Sequence, residues 1–497
     1  MLIPIFVATS PNLKRIVKSA FFITAGGALP LLSSVVLLIP YTQNLNTADY
    51  GLLAIYISFA LLVQILMNYA IDSYLSVHYY DHHEDKSKLK QFLSSIFGML
   101  LSLGAILTLL FSVVGYFLFN LIFKEGTISF FPYGFMSVLT AFFNAWFRTY
   151  VNIQIFSDKP VKYFLFGLFN FVVTVVISTL LVYEYAFTLV GPMWGRLISG
   201  VLIFFLTFIY GWKEFGISFN FKLLPQIRKY ATPIVLFSLL TWVLGYINNY
   251  ILNGFATAAD VGVYDFALKC TLVIEYASLG ITGAINPRIY QLWKKSGLAE
   301  SSAEENRYYH VFSAMNIFII ALNIFLLPII IRLFVSNEQY YDSIQYLTIL
   351  CVAAVFKGLY IIFINPLFYF KQTRVLPKVL LISAAVQIIS GIIMVNYFGI
   401  LGAVWSFFLV RPIQVLLLWL EARKIYKFSF NIYKILVIPL VYTLAVVGLQ
   451  ELNVLTELAF GLAQLILAVV LILGIYRNEL RQLPLLLKSG KGSINEN

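Results

Sequence analysis

Four basic residues stand inside long apolar runs: Arg196 in "VGPMWGRLISG", Lys269 in "VYDFALKCTLV", Lys357 in "CVAAVFKGLY" and Arg411 in "SFFLVRPIQV". A charge held inside a membrane is costly, so each marks a wet interior, an ion pair or a ligand site. The chemistry open to such a set is anion binding. Arginine's planar fork suits phosphate, and lysine supplies a point charge. Two carboxylates qualify this reading. Asp265 precedes Lys269 by four residues, on one helical face and in the favourable acid-then-base order, so an ion pair competes with substrate for that lysine. Glu275 lies off that face and is the candidate for binding a coupling proton or cation. For Arg196 the competing reading is snorkelling to the headgroups. Pro412, next to Arg411, removes a backbone donor and is expected to break or bend its helix.

Polar residues recur at helical spacing around these charges. Gln64, Asn68 and Asp72 repeat every four residues, as do Asn144, Arg148 and Asn152, while Ser238, Thr241, Gly245, Asn248 and Asn249 keep to roughly one face. Of these, Gln64, Asn68, Asn248 and Asn249 are expected to line a polar cavity, against the alternative of bonding helix to helix. Gly26, Gly27 and Pro30 interrupt the first helix, for flexibility or for close packing.

The elements that must position these residues follow from composition. The 497 residues are 61% hydrophobic, 17% aromatic and 11% charged, outside the range of soluble domains. A hydrocarbon core about 30 Å thick needs roughly 20 apolar residues per helix. Fourteen such stretches occur, near 17–39, 51–73, 92–120, 130–152, 162–183, 190–212, 230–252, 262–284, 309–333, 343–366, 376–396, 400–420, 431–450 and 456–476. The expectation is an all-α integral membrane protein.

Several chemistries are set aside. The longest connection, about Asn286 to Tyr308, is too short for a soluble catalytic domain. His78, His82 and His83 fall in a short charged loop without a ligand cage, so no metal is expected. "SGKGS" at Ser489 lacks the phosphate-loop spacing. Cys270 and Cys351 fall inside apolar helices and behave as fillers. The opening segment places its apolar run before Lys14, Arg15 and Lys18, the reverse of a cleavable signal.

The net charge of +12 is not a nucleic-acid footprint, because its distribution alternates. With the N-terminus inside, 28 of the 34 basic residues fall on inner segments, and Lys124 and Arg332 alone lie on outer edges. Both termini are therefore expected in the cytoplasm.

Two phrases repeat. "NTADYGLLAIYISF" from Asn46 and "ATAADVGVYDFALK" from Ala256 align Asp49 with Asp260 and Gly51 with Gly262, both at an offset of 211. "VGPMWG" from Val190 and "LGAVWS" from Leu401 align Gly191 with Gly402 and Trp194 with Trp405 at the same offset. Two anchors at one spacing suggest two related six-helix halves, residues 1–229 and 230–430, followed by two extra helices and a tail over 431–497. Parallel repeats of this kind place a substrate site between halves that rock to give alternating access. Ser58 stands where Lys269 stands in the second copy, so substrate charge would be read mainly by the second half.

The stretch "ATPIVLFSLLTWVLGYINNYILNGFATAADVGVYDFALKC" from Ala231, followed by "INPRIYQLW", resembles the centre of bacterial polysaccharide flippases of the Wzx type. These belong to the multidrug/oligosaccharidyl-lipid/polysaccharide exporter superfamily. The carrying residues are Pro233, the phrase Gly262, Val263, Tyr264, and Pro287; "LNTADYG" resembles the family's second-helix opening. Many relatives have an Asp-Arg pair where this chain has Asn248 and Asn249, so no charged role carries over there. The resemblance implies a non-enzymatic transporter, as in O-antigen synthesis. It would move an undecaprenyl-pyrophosphate-linked oligosaccharide from the inner to the outer leaflet of the plasma membrane. Its implied partners are the lipid-linked oligosaccharide, membrane lipids and polysaccharide polymerase machinery, with no nucleic acid. No cofactor is expected beyond a coupling proton or sodium ion.

Three rivals remain. A multidrug exporter of the same superfamily would prefer an anionic or neutral aromatic cavity, and a lipid II flippase would share the fold. A membrane-embedded polymerase or glycosyltransferase would need a large outer loop or clustered carboxylates, whereas Glu125, Glu184, Asp260, Glu338 and Glu451 are scattered.

Overall fold

The computed structural model describes residues 13–123, 128–296, 302–452, 454–479 and 481. Lys124, Glu125 and the "SGKGS" phrase lie outside them. Among the described residues no strand forms. The helices are α1 (Leu13–Asn44), α2 (Thr47–Asn68), α3 (Ile71–His82), α4 (Lys86–Ile122), α5 (Phe135–Phe156), α6 (Pro160–Glu184) and α7 (Val190–Phe215), then α8 (Leu224–Phe255), α9 (Ala258–Ser296), α10 (Ala303–Phe334), α11 (Ile344–Tyr369), α12 (Leu376–Ala422), α13 (Ile438–Glu451) and α14 (Glu457–Ile475). Twelve described segments are long and apolar enough to cross a membrane. One of these, Thr373–Ala422, covers the stretches expected at 376–396 and 400–420, and the stretch expected at 130–152 is largely α5, which is helical but is not among the twelve.

The doubling within α12 has a backbone cause. Gly399 leaves helical geometry at φ 54, a region open to glycine without a Cβ clash. A Cβ placed on Gly402 would come within 2.7 Å of the Val395 nitrogen. A straight helix would hold residues seven apart roughly 10 Å from each other along its axis, so the chain reverses here. Gly191 does the same at the start of α7, where a Cβ would lie 2.8 Å from the Val182 Cα. The second repeated phrase is therefore a tight turn that lets one helix start against the backbone of the last.

The first repeated phrase is a helix start. Asn46 accepts from the Asp49 backbone nitrogen at 2.7 Å and donates its amide to the Asp49 carboxylate at 2.9 Å. At α9 the Asp260 nitrogen donates to Thr257 Oγ1 at 3.2 Å, while the Thr257 nitrogen donates to Asp260 Oδ2 at 2.9 Å. In both, the cap side chain accepts from the backbone nitrogen three residues on, and at α9 the bond is reciprocal, because Asp260 reaches back to the Thr257 nitrogen.

Three local expectations change. His78 and His82 belong to α3, because the helical run continues past the apolar span instead of ending in a loop. Most of the Asn286–Tyr308 connection is helical too, since α9 runs to Ser296 and α10 begins at Ala303. Pro412 does not break α12, whose one departure from helical angles is at Gly399; a helix in a membrane keeps its hydrogen-bonded form unless another group satisfies the freed backbone. Helix α1 likewise runs through Pro30, and a Cβ on Gly26 would meet the Tyr163 ring of α6, which is the packing role of that glycine.

The chain divides into two compact units, Met1–Trp242 and Val243–Asn497. In the first, the aromatic rings of Phe97, Trp146 and Phe204 interlock, and polar groups bond α2 and α3 to α5. Asn68 donates to Thr149 at 3.2 Å, Thr149 to Asp72 at 2.8 Å, and Arg148 pairs with Asp72 at 2.9 Å. In the second, α14 holds to α10 through Gln464, which donates to the Ala321 carbonyl at 2.8 Å and accepts from Tyr442 of α13 at 2.7 Å. Lipid removes most of the hydrophobic drive between helices, so such polar bonds and close glycine contacts carry the association.

Candidate functional site

The second unit gathers three of the four membrane bases on α9, α11 and α12. Lys269 pairs with Asp265 one turn earlier on α9 at 2.6 Å, and the Asn249 amide of α8 donates to the same carboxylate at 3.1 Å. This is the ion pair that the four-residue spacing anticipates, and it leaves Asp265 buried between two donors.

Lys357 on α11 faces Glu275 on α9, with Nζ and Oε1 3.8 Å apart. That distance is beyond a hydrogen bond, so the attraction is Coulombic. Each side chain is about a third exposed (31% and 33%). The Lys357 ammonium also lies 5.8 Å from the Tyr360 ring centre. Arg411 on α12 stacks its guanidinium 4.3 Å from the Phe407 ring centre and lies within electrostatic reach of Lys357, Tyr360 and Tyr264. Among the described residues it forms no ion pair with a carboxylate. Glu275, Lys357 and Arg411 therefore carry a formal charge of +1 together, while Asp265 and Lys269 cancel.

Asn248 is engaged differently. Its amide donates to the Ala403 carbonyl at 2.9 Å and to Tyr264 at 3.2 Å, and its oxygen accepts from Gln387 at 2.9 Å. Gln387 donates in turn to Ser406 at 2.9 Å. These bonds tie α8, α9 and both spans of α12, and the close approach of Gly391 makes room for them. The Asn248 side chain is thus spent on helix packing.

In the first unit, Arg196 on α7 is half-buried beside the buried Tyr41 hydroxyl and Ser178. Gln64 is half-buried on α2, and Asn68 belongs to the Thr149–Asp72–Arg148 set. Among the described residues no group of three His, Cys, Asp or Glu is placed to hold a metal.

Sequence reasoning missed the Lys357–Glu275 pairing, which joins residues on different helices, and the tyrosines around it. Tyr246 and Tyr276 lie near Glu275, and Tyr360 follows Lys357 by three residues on the same helical face. The last was visible as helical spacing. It also missed Glu305, wholly buried, whose carboxylate accepts from Trp293 at 2.9 Å and Tyr426 at 2.5 Å.

Residues 16–293 match the family described as "Polysaccharide biosynthesis protein". The chain is 20% identical over 382 residues to "Lsg locus putative protein 1" of Haemophilus influenzae, covering 74% of this chain and 90% of that protein. Its fold is similar to that of a lipid II flippase, MurJ, in an inward closed conformation, with a TM-score of 0.68 at 16% identity over 93% of this chain and 99% of that one. It is also similar to an inward-facing multidrug resistance MATE family transporter of the MOP superfamily, with a TM-score of 0.60 at 16% identity over 85% of this chain and 96% of that one. The matched region spans the repeated helix starts, the "INPRIYQLW" phrase and the α9 charges. This multi-pass membrane protein belongs to the polysaccharide biosynthesis protein family and has the MOP superfamily fold.

Proposed function

We propose that the chain moves a polyprenyl-pyrophosphate-linked oligosaccharide from the cytoplasmic to the outer leaflet of the bacterial plasma membrane by alternating access, with both termini in the cytoplasm. The observation that carries this reading is Arg411: a guanidinium in a membrane span, without a carboxylate partner among the described residues, within electrostatic reach of a loosely paired Lys357. A pyrophosphate diester brings two negative charges. The planar guanidinium offers it a bidentate fork, and Lys357 exchanges Glu275 for the second phosphate. Charge held this way avoids the cost of an unpaired cation in the membrane. Glu275 is then the group assigned to the coupling proton or sodium ion, carried inward on the return step.

Binding discriminates this reading. Polyprenyl pyrophosphate should stabilise the purified protein more strongly than the matching monophosphate, and Arg411→Ala should remove the difference. Stabilisation by organic cations in place of both lipids would favour drug export and defeat the proposal.

A further inference from the structure

Arg411 stands nine residues past the turn at Gly402 and eleven before the end of α12 at Ala422, roughly 13 Å or more from either end at 1.5 Å per residue. Its charge has to be stabilised within the span. A side chain on a helix leans back over the preceding turn, which sets the guanidinium above the residue four positions earlier. That residue is Phe407, and the guanidinium carbon lies 4.3 Å from the centre of its ring. The ring is buried, at 7% exposure, so packing fixes its plane, whereas Arg411 is half-buried.

The other bases of the second unit are held by carboxylates. Lys269 has Asp265 and Lys357 has Glu275. Arg332 also lies over a ring, 5.1 Å from the centre of Tyr341, but gives Nε and Nη2 to Glu457. Among the described residues no hydrogen bond or ion pair takes up the N–H donors of Arg411. A carboxylate there would cancel the positive charge and occupy an edge of the fork. An aromatic face does neither, because it attracts the cation at right angles to the plane in which the N–H groups point. The repeat does not demand this pair. At the offset of 211, Phe407 corresponds to Arg196 and Arg411 to Gly200, so the same place in α7 carries neither the ring nor a base one turn after it.

We infer that Phe407 is a positioning residue for pyrophosphate recognition: it holds the Arg411 guanidinium in one plane, charged and with its N–H edges open, before the lipid-linked pyrophosphate arrives. This rests on the proposed assignment of Arg411 to that group. Phosphate oxygens meet a guanidinium edge-on, so the stack persists in the complex and the fork is ordered in advance of binding. Lys357, a flexible point charge drawn to Glu275 at 3.8 Å, supplies charge without a fixed orientation. The ring therefore acts through Arg411 and touches no substrate itself.

The test is calorimetric titration of the full chain in detergent with short-chain polyprenyl pyrophosphate and with the matching monophosphate. Phe407→Leu should weaken pyrophosphate binding about fivefold and narrow its preference over the monophosphate, while Phe407→Tyr, which keeps the ring face, should retain both. In an Arg411→Ala background Phe407→Leu should have no further effect, since no guanidinium is left to hold. Phe407→Met, which fills the space without a ring, carries the same expectations if the leucine variant does not fold. Weakening by Arg411→Ala together with unchanged or tighter binding by the ringless variants would overturn the role of Phe407 and leave the transport reading standing. Equal weakening by Phe407→Leu with and without Arg411 would make the ring a packing group alone and overturn that role too. A wild type without preference for the pyrophosphate would overturn both.

Discussion

Replacing Glu275 by glutamine should tighten the binding of a pyrophosphate lipid while slowing its transport. In the resting arrangement Lys357 is drawn to Glu275 at 3.8 Å. Unit charges at that separation attract by about 4 kcal/mol at an effective dielectric near 20. Both side chains are about a third exposed, at 31% and 33%, so solvent screening leaves on the order of 1 kcal/mol. A ligand that takes Lys357 from Glu275 must overcome that attraction. Glutamine removes it and raises the formal charge of the Glu275–Lys357–Arg411 group from +1 to +2. Affinity for polyprenyl pyrophosphate should therefore rise about fivefold. The assay is calorimetric titration of the detergent-solubilised protein with a short-chain polyprenyl pyrophosphate. Glu275→Gln combined with Lys357→Gln should lose the gain, because no ammonium remains to be released. Unchanged or weaker binding by Glu275→Gln alone would refute the exchange of partners.

Asn248→Leu should lower stability by about 2–3 kcal/mol, because the Ala403 carbonyl and Gln387 amide would lose buried partners; a shift of the thermal midpoint checks it. Gly402→Ala should cost about 1–3 kcal/mol, since its Cβ would press on backbone atoms of Met394 and Val395 that cannot swing aside. Gly245→Ala, with nothing within 4 Å of the new Cβ, should leave the midpoint unchanged or higher. The Glu479 carboxyl tests the docking of α13 and α14. Burial pushes it up, but hydrogen bonding and charge from Lys434, 2.6 Å away, and the charge of His310 outweigh this and hold it below its ordinary 4.5. A carboxyl depressed on folding adds stability above its unfolded value and loses it as pH falls through the folded one. The unfolding midpoint should therefore drop more steeply below pH about 4.5 in the wild type than in Glu479→Gln.

Spans and local pairs were legible in the sequence because their causes are local. Apolar length marks a membrane crossing, and four-residue spacing brought Lys269 to Asp265. The repeated phrases were visible as words, but their meaning as helix caps and tight turns needed backbone positions: the same bond from the third helical nitrogen is accepted by Asn46 in one copy and by Thr257 in the other. Residues distant in sequence were less legible. Nothing in the run around Lys357 announces Glu275, 82 positions earlier on α9, because the packing of α9 on α11 sets that pairing. Nor could polarity alone separate Asn248, spent on carbonyl and amide bonds, from its neighbour Asn249, which holds Asp265. The same residue type at successive positions points in different directions on a helix.

The most direct test of the central claim is flipping itself. Proteoliposomes containing the wild type, Lys357→Ala or Arg411→Ala would be loaded with a labelled polyprenyl-pyrophosphate oligosaccharide, and its arrival in the opposite leaflet followed. Flipping by the wild type and its loss in both variants, with thermal midpoints retained, is the predicted result. Wild-type flipping that persists in both variants would contradict recognition by Lys357 and Arg411, and no wild-type flipping together with transport of organic cations would contradict the proposed substrate.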